Sequence, residues 1–116
     1  MFNLLADWNE NRNPTIEDIA SFHSRFEKIH PFQDGNGRIG RFIILKQCIE
    51  KEIYLIAIDN KYEKEYKEAL YYAQKINDIS KLVEVFANCQ NRLDEKLSTY
   101  NNTIQLVKKE IATNNK

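Results

Sequence analysis

The chain has 116 residues and a mass of 13.7 kDa, which is the usual size of one compact domain and leaves no length for a second. Hydrophobic residues make up 42% of it and charged residues 29%, so its apolar content is that of a folded protein and not of a disordered tail. Seventeen basic residues balance seventeen acidic ones, which removes the electrostatic case for a dedicated nucleic-acid binder and weakens the case for attraction to an anionic membrane.

Cysteine usage and hydropathy indicate the compartment. Cys48 and Cys89 lie far apart, outside any Cys-x-x-Cys pair, which excludes a disulfide framework and a zinc site and predicts two reduced, buried thiols. No run approaches the roughly 18 apolar residues of a spanning helix, and the N-terminus has no basic region before its apolar residues. We therefore expect a cytoplasmic protein without a signal peptide.

Apolar spacing predicts helices for the first half of the chain. Residues 1–11 are typical of the end of one helix, and Thr15 followed by Asp18 is typical of a capped start for an amphipathic helix over 16–29. A further helix is predicted over about 38–51, and its wide apolar surface predicts a central position in the fold.

The second half begins with a β-prone run over 53–58. No other segment offers it a convincing strand partner, so we expect an extended connector. Asp59 or Asn60 can cap the next helix, whose helical spacing runs from 62 to 76.

A polar break at 77–80 separates that helix from a last long helix beginning near residue 82. Residues 1–112 are expected to form the single domain and residues 113–116 a frayed polar tail. The predicted architecture is an all-α bundle of about five helices.

All three glycines, Gly35, Gly37 and Gly40, fall within six consecutive residues, which indicates one special loop. Their spacing fits a dinucleotide-binding fingerprint, but that motif follows a buried strand, and here a helix precedes it. A phosphate-binding P-loop would need Lys-[Ser/Thr] where Arg41-Phe42 stands, and a calcium-binding EF-hand would need other residues at its fixed positions. A plain Asp-Gly or Asn-Gly turn remains the simplest alternative.

The neighbours of these glycines favour a phosphate site over a plain turn. Residues 35–37 can turn successive backbone N–H groups toward an anion at the start of the following helix. Arg38 and Arg41 lie three residues apart, and guanidinium groups match phosphate oxygens. Asp34 offers a carboxylate to Mg²⁺, and His30 has the ordinary pKa of a base near neutral pH. These groups together predict phosphoryl or nucleotidyl transfer to a hydroxyl.

The segment His30-Pro-Phe-Gln-Asp34-Gly-Asn36-Gly-Arg38-Ile-Gly-Arg41 resembles the signature H-x-F-x-[D/E]-G-N-G-R-x-x-R of the Fic (filamentation induced by cAMP) family at every specified position. The similarity extends over roughly residues 1–90. The resemblance implies an all-α core that transfers AMP from ATP to a Ser, Thr or Tyr hydroxyl of a target protein and releases pyrophosphate.

The resemblance also implies roles for individual residues. His30 would deprotonate the target hydroxyl, and Asp34 would coordinate Mg²⁺. The phosphates would be held by the backbone at Gly35, Asn36 and Gly37, by Arg38 and, at the γ-phosphate, by Arg41; Phe32 would anchor the loop. Related phosphotransferases of the Doc branch carry lysine where Gly37 stands and lack the second arginine, so the sequence favours AMP transfer.

Two family features have no evident counterpart, which leaves alternatives open. Fic enzymes place a β-hairpin flap upstream of the signature, and no hairpin pattern precedes His30, so the chain is expected to be a short or truncated core. Their inhibitory [S/T]-x-x-x-E-[G/N] helix is matched only in its first half, by Ser80 and Glu84. The inhibitor is therefore expected to be either a separate antitoxin-like protein or a segment lost with the upstream sequence. A nucleotide- or partner-binding module without turnover and a Doc-like toxin are the alternative functions.

The aromatic and histidine residues outside the signature allow two interpretations. His23 lies on the apolar face of its helix and is better explained as a hydrogen-bonded core residue than as a metal ligand. Five tyrosines are either an adenine-stacking surface or bundle core with polar tips; they are Tyr54, Tyr62, Tyr66, Tyr71 and Tyr72.

Overall fold

A computed structural model describes residues 2–29 and 33–114, and in these ranges the chain forms five α-helices and no strand. The helices are α1 (Phe2–Glu10), α2 (Ile16–Ile29), α3 (Gln33–Glu50), α4 (Glu63–Ile76) and α5 (Ser80–Asn114), with a 3₁₀ turn over Asn60–Tyr62 before α4. The predicted all-α bundle of about five helices is confirmed.

The start of α2 carries the predicted cap. The backbone N–H of Thr15 donates to Asp18 Oδ2 over 2.8 Å, and the N–H of Asp18 donates back to Thr15 Oγ1 over 3.4 Å. This reciprocal pair satisfies donors that the first helical turn leaves free. The bond from Thr15 lowers the pKa of the Asp18 carboxyl, so the cap is charged at neutral pH.

The centre of the bundle is α2 and not α3, which corrects the expectation for the helix predicted over 38–51. α2 packs against α1, α3, α4 and α5, whereas α3 packs mainly against α2. Three apolar side chains of α3, Ile39, Phe42 and Ile49, are consequently exposed. A wide apolar surface on one helix shows which face can be buried but does not show what covers it.

The connector from α3 to α4 is extended and unpaired over 53–59, as predicted. Asp59 then caps the 3₁₀ turn, because its carboxylate accepts from the N–H of Lys61 over 2.9 Å. α4 ends at Ile76, and the following residue, Asn77, has a left-handed φ of 57° that stops the helix at the predicted break. α5 continues through Asn114, so residues 113 and 114 of the predicted tail are helical.

The core is formed around α2 by one face of the first half of α5. Leu82, Val85, Phe86 and Cys89 recur at helical spacing and are buried. Cys89 and the buried Cys48 of α3 are free thiols, as predicted from their spacing. Within the described ranges, every helix is either too short or too polar to cross a membrane.

Candidate functional site

The glycine-rich segment is helical where the structure describes it. α3 begins at Gln33, so residues 33–37 form its first turns and not the loop that the sequence predicts. No described glycine has a positive φ, and a glycine without that need can take helical angles at a cost of about 1 kcal/mol relative to alanine. His30 and Phe32 lie outside the described residues, and their roles stay predictions.

The backbone at Asp34, Gly35, Asn36 and Gly37 belongs to the N-terminal end of α3. The first N–H groups of a helix have no partner within it and carry partial positive charge, so they can donate to an anion. Because α3 begins at Gln33, its free donors are the N–H groups of the first turn, up to Gly35. The N–H groups of Asn36 and Gly37 are used by the helix's own hydrogen bonds, so the helical start keeps only part of the donors that the predicted loop would have offered. Side chains are described from Arg38 onward, and the metal-binding role of Asp34 stays a prediction.

The two signature arginines have different surroundings. Arg38 is exposed on the second turn of α3. Arg41, one turn further, is half-buried, and its Nη2 donates to Glu63 Oε1 at the start of α4 over 2.5 Å. Its guanidinium also lies over the ring of Tyr66, with Cζ 5.0 Å from the ring centroid. Arg41 is thus fixed between α3 and α4, whereas Arg38 is free to meet a ligand at the surface.

Burial and charge oppose one another at Arg41. Burial alone would lower the pKa of its guanidinium, but the hydrogen bond and charge of Glu63 outweigh that effect and raise the pKa. Arg41 Nε and Glu63 Oε2 are buried without a hydrogen-bond partner. The ion pair therefore leaves one donor and one acceptor unused.

A buried histidine contacts Tyr66, the same residue over which Arg41 lies. His23 of α2 is 1% exposed, packs edge-on to Phe86 and hydrogen-bonds through Nε2 to the hydroxyl of Tyr66. Burial, reinforced by the charge of Arg41, lowers its pKa to about 4, so the ring is neutral at physiological pH. Burial also raises the pKa of Tyr66, which makes its O–H the donor and His23 Nε2 the acceptor. His23 is accordingly a hydrogen-bonded core residue, as the sequence favours.

Gly40 allows α2 and α3 to approach each other closely. A Cβ at this position would lie 2.1 Å from Glu27 Oε1 and 3.1 Å from His23 Cε1. The third glycine of the motif thus serves helix packing. Burial raises the pKa of the Glu27 carboxyl against the opposing charge of Arg41, and its Oε1 has no hydrogen-bond partner.

Sequence reasoning missed Glu63 and Glu27 as members of this polar cluster. Glu63 stands three residues before Tyr66, and that spacing on one helix places both side chains on the same side. The position of Glu63, three residues before Tyr66, was therefore the sequence signal that could have identified it. No comparable signal identifies Glu27, because its place depends on how α3 packs against α2. Among the described residues, no three His, Cys, Asp or Glu side chains form a metal-binding group.

Comparison with known proteins identifies a family for this chain. Residues 1–48, which run from α1 to near the end of α3, match the profile of the Fic/DOC family. The chain belongs to the Fic/DOC family. It is also similar to a probable protein adenylyltransferase of Aquifex aeolicus (strain VF5), with 32% identity over 111 aligned residues.

The aligned region covers 82% of this Fic chain and 34% of the Aquifex protein. The chain thus spans about a third of the length of that relative. The comparison shows sequence similarity over this region, and the activity of the longer protein comes to this chain only as a proposal.

Proposed function

We propose that the chain transfers AMP from ATP to a Ser, Thr or Tyr hydroxyl of a target protein. The observation that carries this proposal is the N-terminal end of α3, where the free backbone donors of the first turn lie one turn before the exposed Arg38. Membership of the Fic/DOC family and similarity to a probable adenylyltransferase support it.

In the proposed reaction the target hydroxyl oxygen forms a bond to the α-phosphorus of ATP. The bond from that phosphorus to the oxygen bridging the α- and β-phosphates breaks, and pyrophosphate leaves with the electron pair. His30 accepts the hydroxyl proton. Gly35 and the other free N–H groups of the first turn of α3, together with Arg38, hold the phosphates, so positioning and charge stabilisation supply most of the rate enhancement.

Arg41 enters the proposal with a restriction. A γ-phosphate that reaches it must share the guanidinium with Glu63, because Nη2 is already bonded to that carboxylate. Arg38 is therefore assigned the larger part of initial nucleotide binding. Asp34 would hold Mg²⁺, which prefers one or two carboxylates plus phosphate oxygens and would neutralise phosphate charge. Because the reaction uses ATP, we assign the protein to the cytoplasm. A separate antitoxin-like protein is proposed as an inhibitor.

ATP with Mg²⁺ should stabilise the folded protein through binding to this site. At about a hundredfold excess over Kd, linkage predicts about 3 kcal/mol of added stability, seen as a rise in Tm. Arg38→Ala should remove most of that rise in Tm, because Arg38 is assigned the larger part of nucleotide binding. Since Arg38 is exposed, its loss should have little effect on the stability of the ATP-free protein. Calorimetry of the two proteins, with and without ATP, measures the effect.

The matched control is Lys46→Ala, on the same helix but about 12 Å further along it. Lys46 is exposed, and its surface ion pair with Glu50 contributes little stability, so the variant loses one positive charge without touching the site. It should keep the ATP-induced rise. Equal losses in both variants, or no ATP binding by the wild-type chain, would contradict the assignment of a nucleotide site.

A further inference from the structure

Beyond Lys96, the described residues of α5 form no hydrogen bond, ion pair or ring contact with another element of the fold. α5 is 35 residues long, about 52 Å as a helix, and the protein measures 62 Å along its longest axis. From residue 94 to residue 113 every side chain is exposed except Ile104, which is half-buried. The first half of α5 lies in the core, and the second half projects from it.

This projecting half carries an apolar stripe at coiled-coil spacing. Steps of four and three residues alternate along it through six positions: Leu93, Leu97, Tyr100, Ile104, Val107 and Ile111. Four of the six side chains are 46–63% exposed. This is the a/d pattern that buries its seam against a second helix, and a lone helix exposing such a stripe is marginally stable in water. We therefore expect a second helix to pack against this stripe.

Charges beside the stripe identify the partner as a second copy running antiparallel. When the copies are aligned so that Tyr100 of each meets Ile104 of the other, Lys96 faces Glu110 and Asp94 faces Lys108 of the second copy. Both pairs occur twice, so four opposite-charge pairs flank the seam. Within its own chain Lys96 is also bonded to Asp59, and Asp94 accepts from the hydroxyl of Tyr54. An ammonium has three donors and a carboxylate several acceptor positions, so each group can serve both partners. In a parallel pair Lys96 faces Asn101 and Lys108 faces Thr103, and no opposite charges meet.

In the same alignment, a cavity lies at one end of the stripe and can accept a side chain of the second copy. Ile111 of the second copy falls opposite Leu93, which lines a cavity between α5 and the connector residues 57–60. Lys96 forms one wall of this cavity and is bonded to Asp59. An apolar side chain from a second copy can therefore fill space that the single chain leaves open.

We propose that the projecting half of α5 is a homodimerisation element, forming an antiparallel two-helix coiled coil with a second copy of this chain. The seam consists of the six stripe residues. The contact is isologous, because every pair across it recurs with the two copies exchanged.

Light scattering on the complete chain tests the proposal. We expect a mass twice that of the 13.7 kDa chain. Ile104→Glu places a charge in the seam and should yield the monomer. The control Leu106→Glu makes the same exchange at an apolar, 68% exposed residue outside the stripe and should leave the dimer intact. A wild-type monomer, or equal effects of both variants, would overturn the proposal.

Charge exchange tests the orientation without touching the apolar seam. Lys108→Glu sets like charges against Asp94 of the second copy and should weaken dimerisation measurably in sedimentation equilibrium. Adding Asp94→Lys to the same chain restores opposite charges and should recover the wild-type dissociation constant. A parallel coiled coil or a different interface gives no such recovery, which would overturn the antiparallel arrangement.

Discussion

His30→Ala should abolish AMP transfer and leave ATP binding close to the wild-type value. In the proposed reaction His30 takes the proton of the incoming hydroxyl, whereas the phosphates are held by the helix start and Arg38. Label from the α-phosphate of ATP, followed on the protein and on lysate proteins, measures transfer. Calorimetric titration with ATP and Mg²⁺ measures binding in the same preparation.

Lys28→Ala is the control for this variant, since Lys28 is exposed in the last turn of α2, two residues before His30. It should retain both transfer and binding. If His30→Ala loses binding together with transfer while Lys28→Ala keeps both, His30 has a structural role and the assignment as general base is wrong.

Acidification should destabilise the protein through His23. Burial lowers the pKa of His23 to about 4, against an ordinary value of 6.5. Below about pH 6.5 the unfolded chain binds a proton that the folded protein takes up only near about pH 4, so stability falls as pH falls through that window. Between about pH 7 and about pH 5, the loss from this one group is about 2 kcal/mol in the free energy of unfolding.

His23→Gln isolates that contribution, because the glutamine amide can accept the Tyr66 hydroxyl but does not titrate. Glu27 acts in the opposite sense: burial raises its pKa, so its contribution to stability grows as pH falls. Both proteins keep Glu27, and the difference between their pH dependences therefore reports His23. Urea unfolding at the two pH values should show the wild type losing about 2 kcal/mol more than His23→Gln; parallel losses would contradict the buried, neutral histidine.

Local signals in the sequence predict the helices well. The reciprocal pair of Thr15 and Asp18 marks the start of α2, and the bounds of α2 agree with the prediction over 16–29. Asn77 ends α4 within the predicted break, because asparagine tolerates the left-handed conformation that stops a helix. These features depend on neighbours a few residues apart, which a sequence displays directly.

Features that depend on how helices pack against one another could not be predicted from the sequence. The apolar residues of α3 predict a central helix, yet Ile39 and Phe42 are exposed, because α2 occupies the centre. The contact of Arg41 with Glu63 joins residues 22 positions apart and exists only after α4 packs against the core. The roles of the signature residues stay predictions from the sequence, whereas the ion pair that restrains Arg41 required the structure.

The most direct test of adenylylation compares two ATP preparations, one labelled on the α-phosphate and one on the γ-phosphate. With Mg²⁺ present, we expect the wild-type chain to place the α-label on itself or on a protein of a cell lysate, and the γ-label to remain in pyrophosphate. Transfer of the γ-label would mean phosphotransfer of the Doc type. Transfer of neither label, with ATP bound, would mean a nucleotide-binding module without turnover, and either result would contradict AMP transfer by this chain.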